Sequence, residues 1–157
     1  DPVPVGKPEP VEPDKSNVDT SKKLHCTISI DCATILNNLA DLDPAKLDVL
    51  PTDGVILNAV TVEFSEGESV FDVLQRVCRE NNIHIEATFT PGYNSAYVEG
   101  IHNLYEFDCG ELSGWMYSVN GWFPNYGCSR YALQDGDVIR WRYTCNLGAD
   151  VGGSMVA

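Results

Sequence analysis

With 157 residues, 43% of them apolar, the chain has the length and composition for one domain with its own core, which argues against a second domain. Its formal net charge of −13 lies almost wholly beyond Leu24, since residues 1–24 hold five acids against four bases and the remainder eighteen against six. Such a field repels phosphate backbones and anionic headgroups, so nucleic acid is excluded as a partner, and no stretch approaches the roughly eighteen apolar residues of a membrane span.

Residues 1–23 hold five of the nine prolines, mix charges and lack aromatics, the composition of a disordered, solvated spacer. From Leu24, LHCTISIDC alternates as a strand, ATILNNLADL reads as a short helix, and Asp43 caps a further turn with Pro44 at its first position. Gly54 to Phe64 is strand-like. Ser69, with Asp72 three residues on, approximates a capping box before VFDVLQRVC, whose apolar residues Val70, Phe71, Val73, Leu74 and Val77 predict an amphipathic helix ending near Asn81-Asn82. IHIEATFT and SAYVEGI follow as strands around a Pro91-Gly92 turn.

The most informative stretch runs from Cys109 to Tyr143. Asn120-Gly121 predicts a two-residue hairpin turn, because both central positions need a positive φ that Asn tolerates and Gly adopts freely. That register sets Val119 opposite Trp122, Tyr117 opposite Pro124 and Trp115 opposite Tyr126, while Pro124, which cannot donate to a ladder, makes the return arm short or places it at an edge. After the Asp135-Gly136-Asp137 turn, Ile139, Trp141 and Tyr143 alternate with Val138, Arg140 and Arg142, so the first set is expected inward and the arginines outward. Trp141 reads as core. Residues 24–150 thus form the predicted domain, of α+β class, with one main helix packed on a mixed or antiparallel sheet and a β-grasp as the expected architecture. Residues 151–157 read as a flexible tail.

Six cysteines, Cys26, Cys32, Cys78, Cys109, Cys128 and Cys145, are an even number without any C-x-x-C spacing, which favours disulfides in an oxidising compartment over a metal ribbon. Cys109–Cys128 is the preferred pair, tying the base of the hairpin for about 3 kcal/mol in a chain-entropy picture. The pairing of the other four stays open, with Cys145 joined to Cys26 or Cys32 and Cys78 either paired or buried as a thiol. The domain is therefore expected to be disulfide-stabilised.

His25, His84 and His102 are scattered without metal-ligand spacing, no nucleophile motif selects a catalytic triad, and the acidic clusters lack a calcium-loop pattern. No catalytic residue, metal site or cofactor is expected. The chemistry left over is recognition. Trp115, Tyr117, Trp122, Phe123 and Tyr126 would supply stacking and apolar area, with Asn120, Asn125 and Arg130 as orienting hydrogen-bonding groups. Their exposure separates a binding surface from an inert spacer whose aromatics fill the core.

GESVFDVLQRV, AYVEGIHNL, GWMYSVNG and YALQDGDVIRWRY, in that order and spacing, resemble the transcobalamin C-terminal-like domain, over roughly residues 55–145. The resemblance implies the small β-rich domain of cobalamin carriers, which faces a helical barrel across the ligand crevice, or its counterpart of unknown function in secreted and surface-attached bacterial proteins. It adds cobalamin as an alternative ligand, met by the hairpin aromatics together with a separate helical partner domain. The expectation is a non-catalytic extracellular or cell-surface binding module, excised from a longer precursor. Its partners would be a small molecule, an extracellular protein or other domains of that precursor, without direct membrane insertion.

Overall fold

The computed structural model describes residues 2–13, 17–92 and 95–153. Strand β1 (Asp19–Asp31) pairs antiparallel with β2 (Val55–Glu66) on one side and parallel with β7 (Val138–Thr144) on the other, and β6 (Gly114–Val119) completes a four-stranded sheet of order β2-β1-β7-β6. A second sheet, β3-β4-β5, is built from Ile85–Thr90, Ser95–Ile101 and Leu104–Tyr105. The class is mixed α+β with one main helix, as expected, but the strands divide into two sheets where a single sheet was anticipated. Residues 33–41, expected as a short helix, form two 3-10 turns, and Asp43 caps a third, Pro44–Val49, by accepting from the Ala45 amide.

Helix α1 (Val70–Glu80) starts where its capping box predicts: Ser69 Oγ accepts from the Asp72 amide, and Asp72 accepts from the Ser69 amide. Val70, Val73, Leu74, Val77 and Cys78 are buried along one face, and the helix ends at Asn81, followed by Asn82 at a positive φ of 55°. In the sheet, Ile28 pairs with Ile139 and Ile30 with Trp141, and all four are buried in the same core cluster as the helix face. Ile139, Trp141 and Tyr143 point inward and Val138 and Arg140 outward, as the alternation predicts. Arg142 is half-buried and ion-paired with Asp31 at 3.3 Å.

The approach to the helix is held by two features. Gly67 has φ +96°, and a Cβ there would lie 2.1 Å from the Asn17 carbonyl oxygen, so the glycine admits the chain that enters β1. Glu68 takes a two-pronged grip from Arg76, at 2.6 and 3.0 Å, and also accepts from the Ser65 amide. Burial alone would raise the Glu68 carboxyl. The bonds from Arg76 and Ser65, with the Arg76 charge, outweigh that and hold it below its ordinary value.

The hairpin departs from its predicted register. Asn120 and Gly121 take positive φ values of 54° and 82°, and Val119 and Trp122 exchange both backbone bonds at 2.8 and 3.0 Å, but pairing stops there. Pro124 has no amide to continue the ladder, and β6 pairs along its other edge with β7, placing Trp115 opposite Tyr143 and Tyr117 opposite Trp141. Part of the proline-rich segment is also docked rather than standing off in solvent. After a turn closed by the Lys7 amide on the Pro4 carbonyl, residues 8–12 run along the domain, and the Val11 amide donates to the Arg130 carbonyl at 2.8 Å. The predicted tail likewise begins against the domain, with Val151 buried; residues 154–157 lie outside the described residues.

All six cysteines are free thiols. The expected Cys109–Cys128 bridge is not formed because the two side chains point to different places: Cys128 Sγ approaches the Ala96 carbonyl at 3.9 Å and Cys109 Sγ the Asn38 carbonyl at 3.4 Å. Burial pushes the Cys26 thiol up to about 11 and those of Cys32, Cys78, Cys109 and Cys128 up to about 12. These are poor nucleophiles at neutral pH.

Two outcomes follow from the Gly67 corner. Gly67→Ala is expected to lower unfolding free energy by more than about 1 kcal/mol in urea titrations, because the left-handed backbone and the missing space both penalise a methyl group. Because its folded value is depressed, Glu68 contributes stability that is full above the ordinary 4.5 and lost as pH falls through the folded value. Glu68→Gln should therefore destabilise by about 1 kcal/mol at neutral pH, with the difference from wild type closing in acid; a difference independent of pH would refute the role.

Candidate functional site

The eight candidate residues separate by burial and by partner. Trp115 is 7% exposed, lies edge-on to Tyr143 at 5.3 Å and donates its Nε1 proton to the Leu104 carbonyl, so it is core. Tyr117 is wedged between Trp141 and Tyr131, with ring centroids 5.4 and 6.5 Å away, and its hydroxyl donates to the Tyr126 carbonyl. Burial, followed by the neighbouring Cys128, Tyr126 and Tyr131, raises its hydroxyl far above the ordinary tyrosine value. It braces the segment that carries Tyr126. Asn120 secures the turn, accepting from the Val138 amide at 2.8 Å and donating to Asp137 Oδ1 at 2.9 Å.

The remaining aromatics, Trp122, Phe123 and Tyr126, are half-buried at the rim, and Asn125 beside them is exposed. Trp122 meets Tyr126 edge-on at 6.1 Å, and Tyr126 stacks on buried Tyr131 at 6.1 Å with the rings 18° from parallel. Phe123 lies under the C-terminal end of the described chain, where a Cβ on Gly153 would fall 2.9 Å from its ring. Arg130 follows on the 3-10 turn Cys128–Arg130 and ion-pairs with Glu12 at 2.8 Å. Trp122, Tyr126 and Arg130 therefore line one track. They are brought together because β6 and β7 fix the start of the hairpin and Pro124 turns its return arm out of the sheet.

The proline-rich segment follows that track. Lys7 Nζ stands 5.6 Å over the Trp122 ring, Tyr126 Oη donates to the Pro8 carbonyl at 2.7 Å, and Glu12 meets Arg130. Burial, then the Glu9 charge, pushes the Tyr126 hydroxyl up to about 12, so it stays a donor at physiological pH. Past Arg130 the track opens into a cavity of about 250 Å³, walled by Val11 and Pro13 of the segment, Phe71 and Asp72 of α1, Phe89 of β3, and Ser129. The Nε of Arg130 is buried and has no hydrogen-bond partner among the described residues. Composition alone did not associate residues 7–13 with this surface; the only hint was that Lys7-Pro8 and Val11-Glu12-Pro13 pair charged or apolar residues with proline in the segment.

Elsewhere, Phe107, Leu112 and Leu147 are exposed near Cys109, and Phe107 holds a positive φ of 70°. Phe107 and Leu147 are joined to the intervening loop through backbone bonds to the Ser113 and Leu112 carbonyls. His84 is structural: its Nδ1 accepts from the Asn103 amide, and Nε2 lies 3.0 Å from the Tyr105 hydroxyl, which in turn donates to Glu86. Among the described residues no group of three or more histidines, cysteines or carboxylates is arranged to hold a metal ion, and no helix is long and apolar enough to cross a membrane.

Comparison with known proteins adds the lineage. The family described as a domain of unknown function, DUF4430, matches residues 67–145, half of the chain. The chain belongs to the DUF4430 family. The match runs from the Gly67 corner to Cys145 and so contains α1, the second sheet, the hairpin and β7. No curated protein matches. Among solved structures, haptocorrin in complex with Cbi shares the fold at a TM-score of 0.57 and 14% identity, over 85% of this chain. This DUF4430 chain spans only 28% of the haptocorrin chain. A Ruminococcus gnavus ATCC 29149 chain described as a candidate metal-binding protein aligns over 77% of this chain and 96% of its own, at a TM-score of 0.44 and 14% identity.

Proposed function

We propose that this domain is a non-catalytic extracellular binding module whose ligand site is the track formed by Trp122, Tyr126 and Arg130, with Asn125 and Phe123 at its margin. The observation that carries the reading is the division among the hairpin aromatics: Trp115 and Tyr117 are spent on packing and bracing, whereas Trp122 and Tyr126 stay half-buried at the rim, on a track that leads to Arg130 and the cavity it lines. Half-exposed aromatic faces next to a convergent donor are the composition of a recognition site rather than of a sheet core. The helix set on a mixed sheet with parallel central strands is read as a β-grasp variant serving as its rigid support.

A cobalamin-capping role with a separate helical domain is the second reading, favoured by the fold shared with haptocorrin. One experiment addresses both. Nitrogen-observed NMR of the full chain carrying Glu12→Ala, which releases one tie on the track, is titrated with small aromatic, sugar and cationic fragments and with cyanocobalamin. Shifts centred on the Trp122 indole, Tyr126 and Arg130 are expected with members of the fragment set. Complete silence at these positions would sink the binding reading, and an unchanged cobalamin spectrum would remove the second.

The extracellular assignment rests on the family resemblance and on the cysteine content, and it implies oxidation. Cys109 and Cys145 face one turn region, Cys109 Sγ donating to the Asn38 carbonyl at 3.4 Å and Cys145 Sγ to Thr34 Oγ1 at 3.6 Å, and each thiol perturbs the titration of the other. In an oxidising compartment these two thiols would give up two protons and two electrons to a disulfide donor and become joined. A non-reducing peptide map is expected to return Cys109 with Cys145; recovery of Cys109 with Cys128 would contradict it.

A further inference from the structure

The proline-rich segment touches the candidate site in a pattern that reads as recognition. Lys7 places its ammonium over Trp122, the Pro8 carbonyl takes the Tyr126 hydroxyl, the Val11 amide donates to the Arg130 carbonyl, and Glu12 pairs with the Arg130 guanidinium. Glu9 faces solvent between the Pro8 contact and the half-buried run of residues 10–13. Prolines arrive with φ already restricted, so an extended segment containing them loses little further entropy on docking, and aromatic tracks with a hydroxyl donor suit their carbonyls, which have no competing amide at the same residue. The charge order also matters. In a domain with eighteen acids beyond residue 24, Arg130 is one of only six bases there, and it meets a carboxylate five residues after the lysine that covers the indole.

We propose that the Trp122–Tyr126–Arg130 track is a receptor for proline-rich peptide segments of the Lys-Pro-x-Pro-Val-Glu kind, which residues 7–12 of the chain occupy in cis. The proposal rests on the binding reading above and names its ligand class. The cis segment is a built-in competitor: a tethered copy stands at an effective concentration on the order of millimolar, so a peptide from another chain gains the track only when the tethered copy is displaced. The donor set fits this ligand at each end and the middle, with an indole face for the cation, a phenol for the carbonyl and a guanidinium for the carboxylate. The cavity beyond Arg130 takes the apolar residue before the carboxylate and the proline after it, as Val11 and Pro13 show.

The test uses the full chain with residues 7–12 replaced by a Gly-Ser stretch of equal length, titrated with a fluorescent synthetic peptide of residues 2–13 and read by anisotropy. Saturable binding is expected for the replaced chain and strongly reduced binding for wild type. Arg130→Ala and Tyr126→Phe in the replaced chain should each weaken the peptide about fivefold, the equivalent of one hydrogen bond or ion pair, and a peptide with its prolines changed to glycine should weaken as well. Near-UV circular dichroism establishes that the replaced chain is folded; if it is not, Glu12→Arg in an otherwise intact chain loosens the same segment and takes the same titration. A folded chain that ignores the peptide, or one that binds it equally with Arg130→Ala, overturns the proposal. If the peptide fails while fragments still shift the Trp122 indole, the peptide class is lost and the binding site stands; if both are silent, both fall.

Discussion

The parallel pairing of β1 with β7 is the constraint on which the rest of the molecule depends. It joins Thr27–Asp31 to Val138–Arg142, more than a hundred residues apart, and sets Ile28 and Ile30 beside Ile139 and Trp141 at the centre of the core. A parallel pair cannot be closed by a tight turn, so everything between the two strands must form the crossover. The helix, the second sheet and the hairpin are that crossover. The same pairing carries polar ties at both ends: the Thr27 amide donates to the Asp137 carbonyl, and Thr34 Oγ1 donates to the Tyr143 carbonyl at 2.6 Å.

From that pairing the candidate site follows by geometry. With β7 in the centre, β6 has a free edge to pair with, which draws Trp115 and Tyr117 over Tyr143 and Trp141 and leaves the return arm without a partner strand. Pro124 makes that arm unable to continue the ladder, so Trp122 and Tyr126 are carried to the rim instead of being paired across the sheet. Tyr126 stacks on Tyr131 and its carbonyl takes the Tyr117 hydroxyl, Trp122 meets Tyr126 edge-on, and Lys7 and Pro8 contact the two rim residues. Lys7 and Pro8 lie over Trp122 and Tyr126, and Gly153 lies against Phe123, so two segments far apart in sequence meet the return arm of the hairpin.

Local chemistry was legible where neighbours in sequence supply the answer. The Ser69–Asp72 capping box, the stop at Asn81-Asn82, the left-handed Asn120-Gly121 turn and the inward face of Ile139, Trp141 and Tyr143 could all be read from the residues, because each depends on hydrogen bonds or side-chain alternation within a few positions. The register of the hairpin beyond Val119 was not, since the winning partner of Tyr117 is Trp141, twenty-four residues away. The directions of the Cys109 and Cys128 thiols were missed for the same reason. The hairpin bracket makes Cys128 the natural partner by sequence, whereas the fold directs Cys128 at Ala96 and Cys109 at Asn38.

By itself the sequence determined the class, the helix and its cap, the core face of the last strand and the acidic surface, because those follow from periodicity, turn chemistry and charge. Tertiary structure alone decided which aromatics are core and which are rim, and it turned a proline-rich stretch with a spacer's composition into a segment lying on Trp122, Tyr126 and Arg130. Composition records how little a segment can bury on its own. It carries no information about a surface with the aromatic faces, the donor and the countercharge to hold that segment, because that surface exists only after β1 and β7 have met.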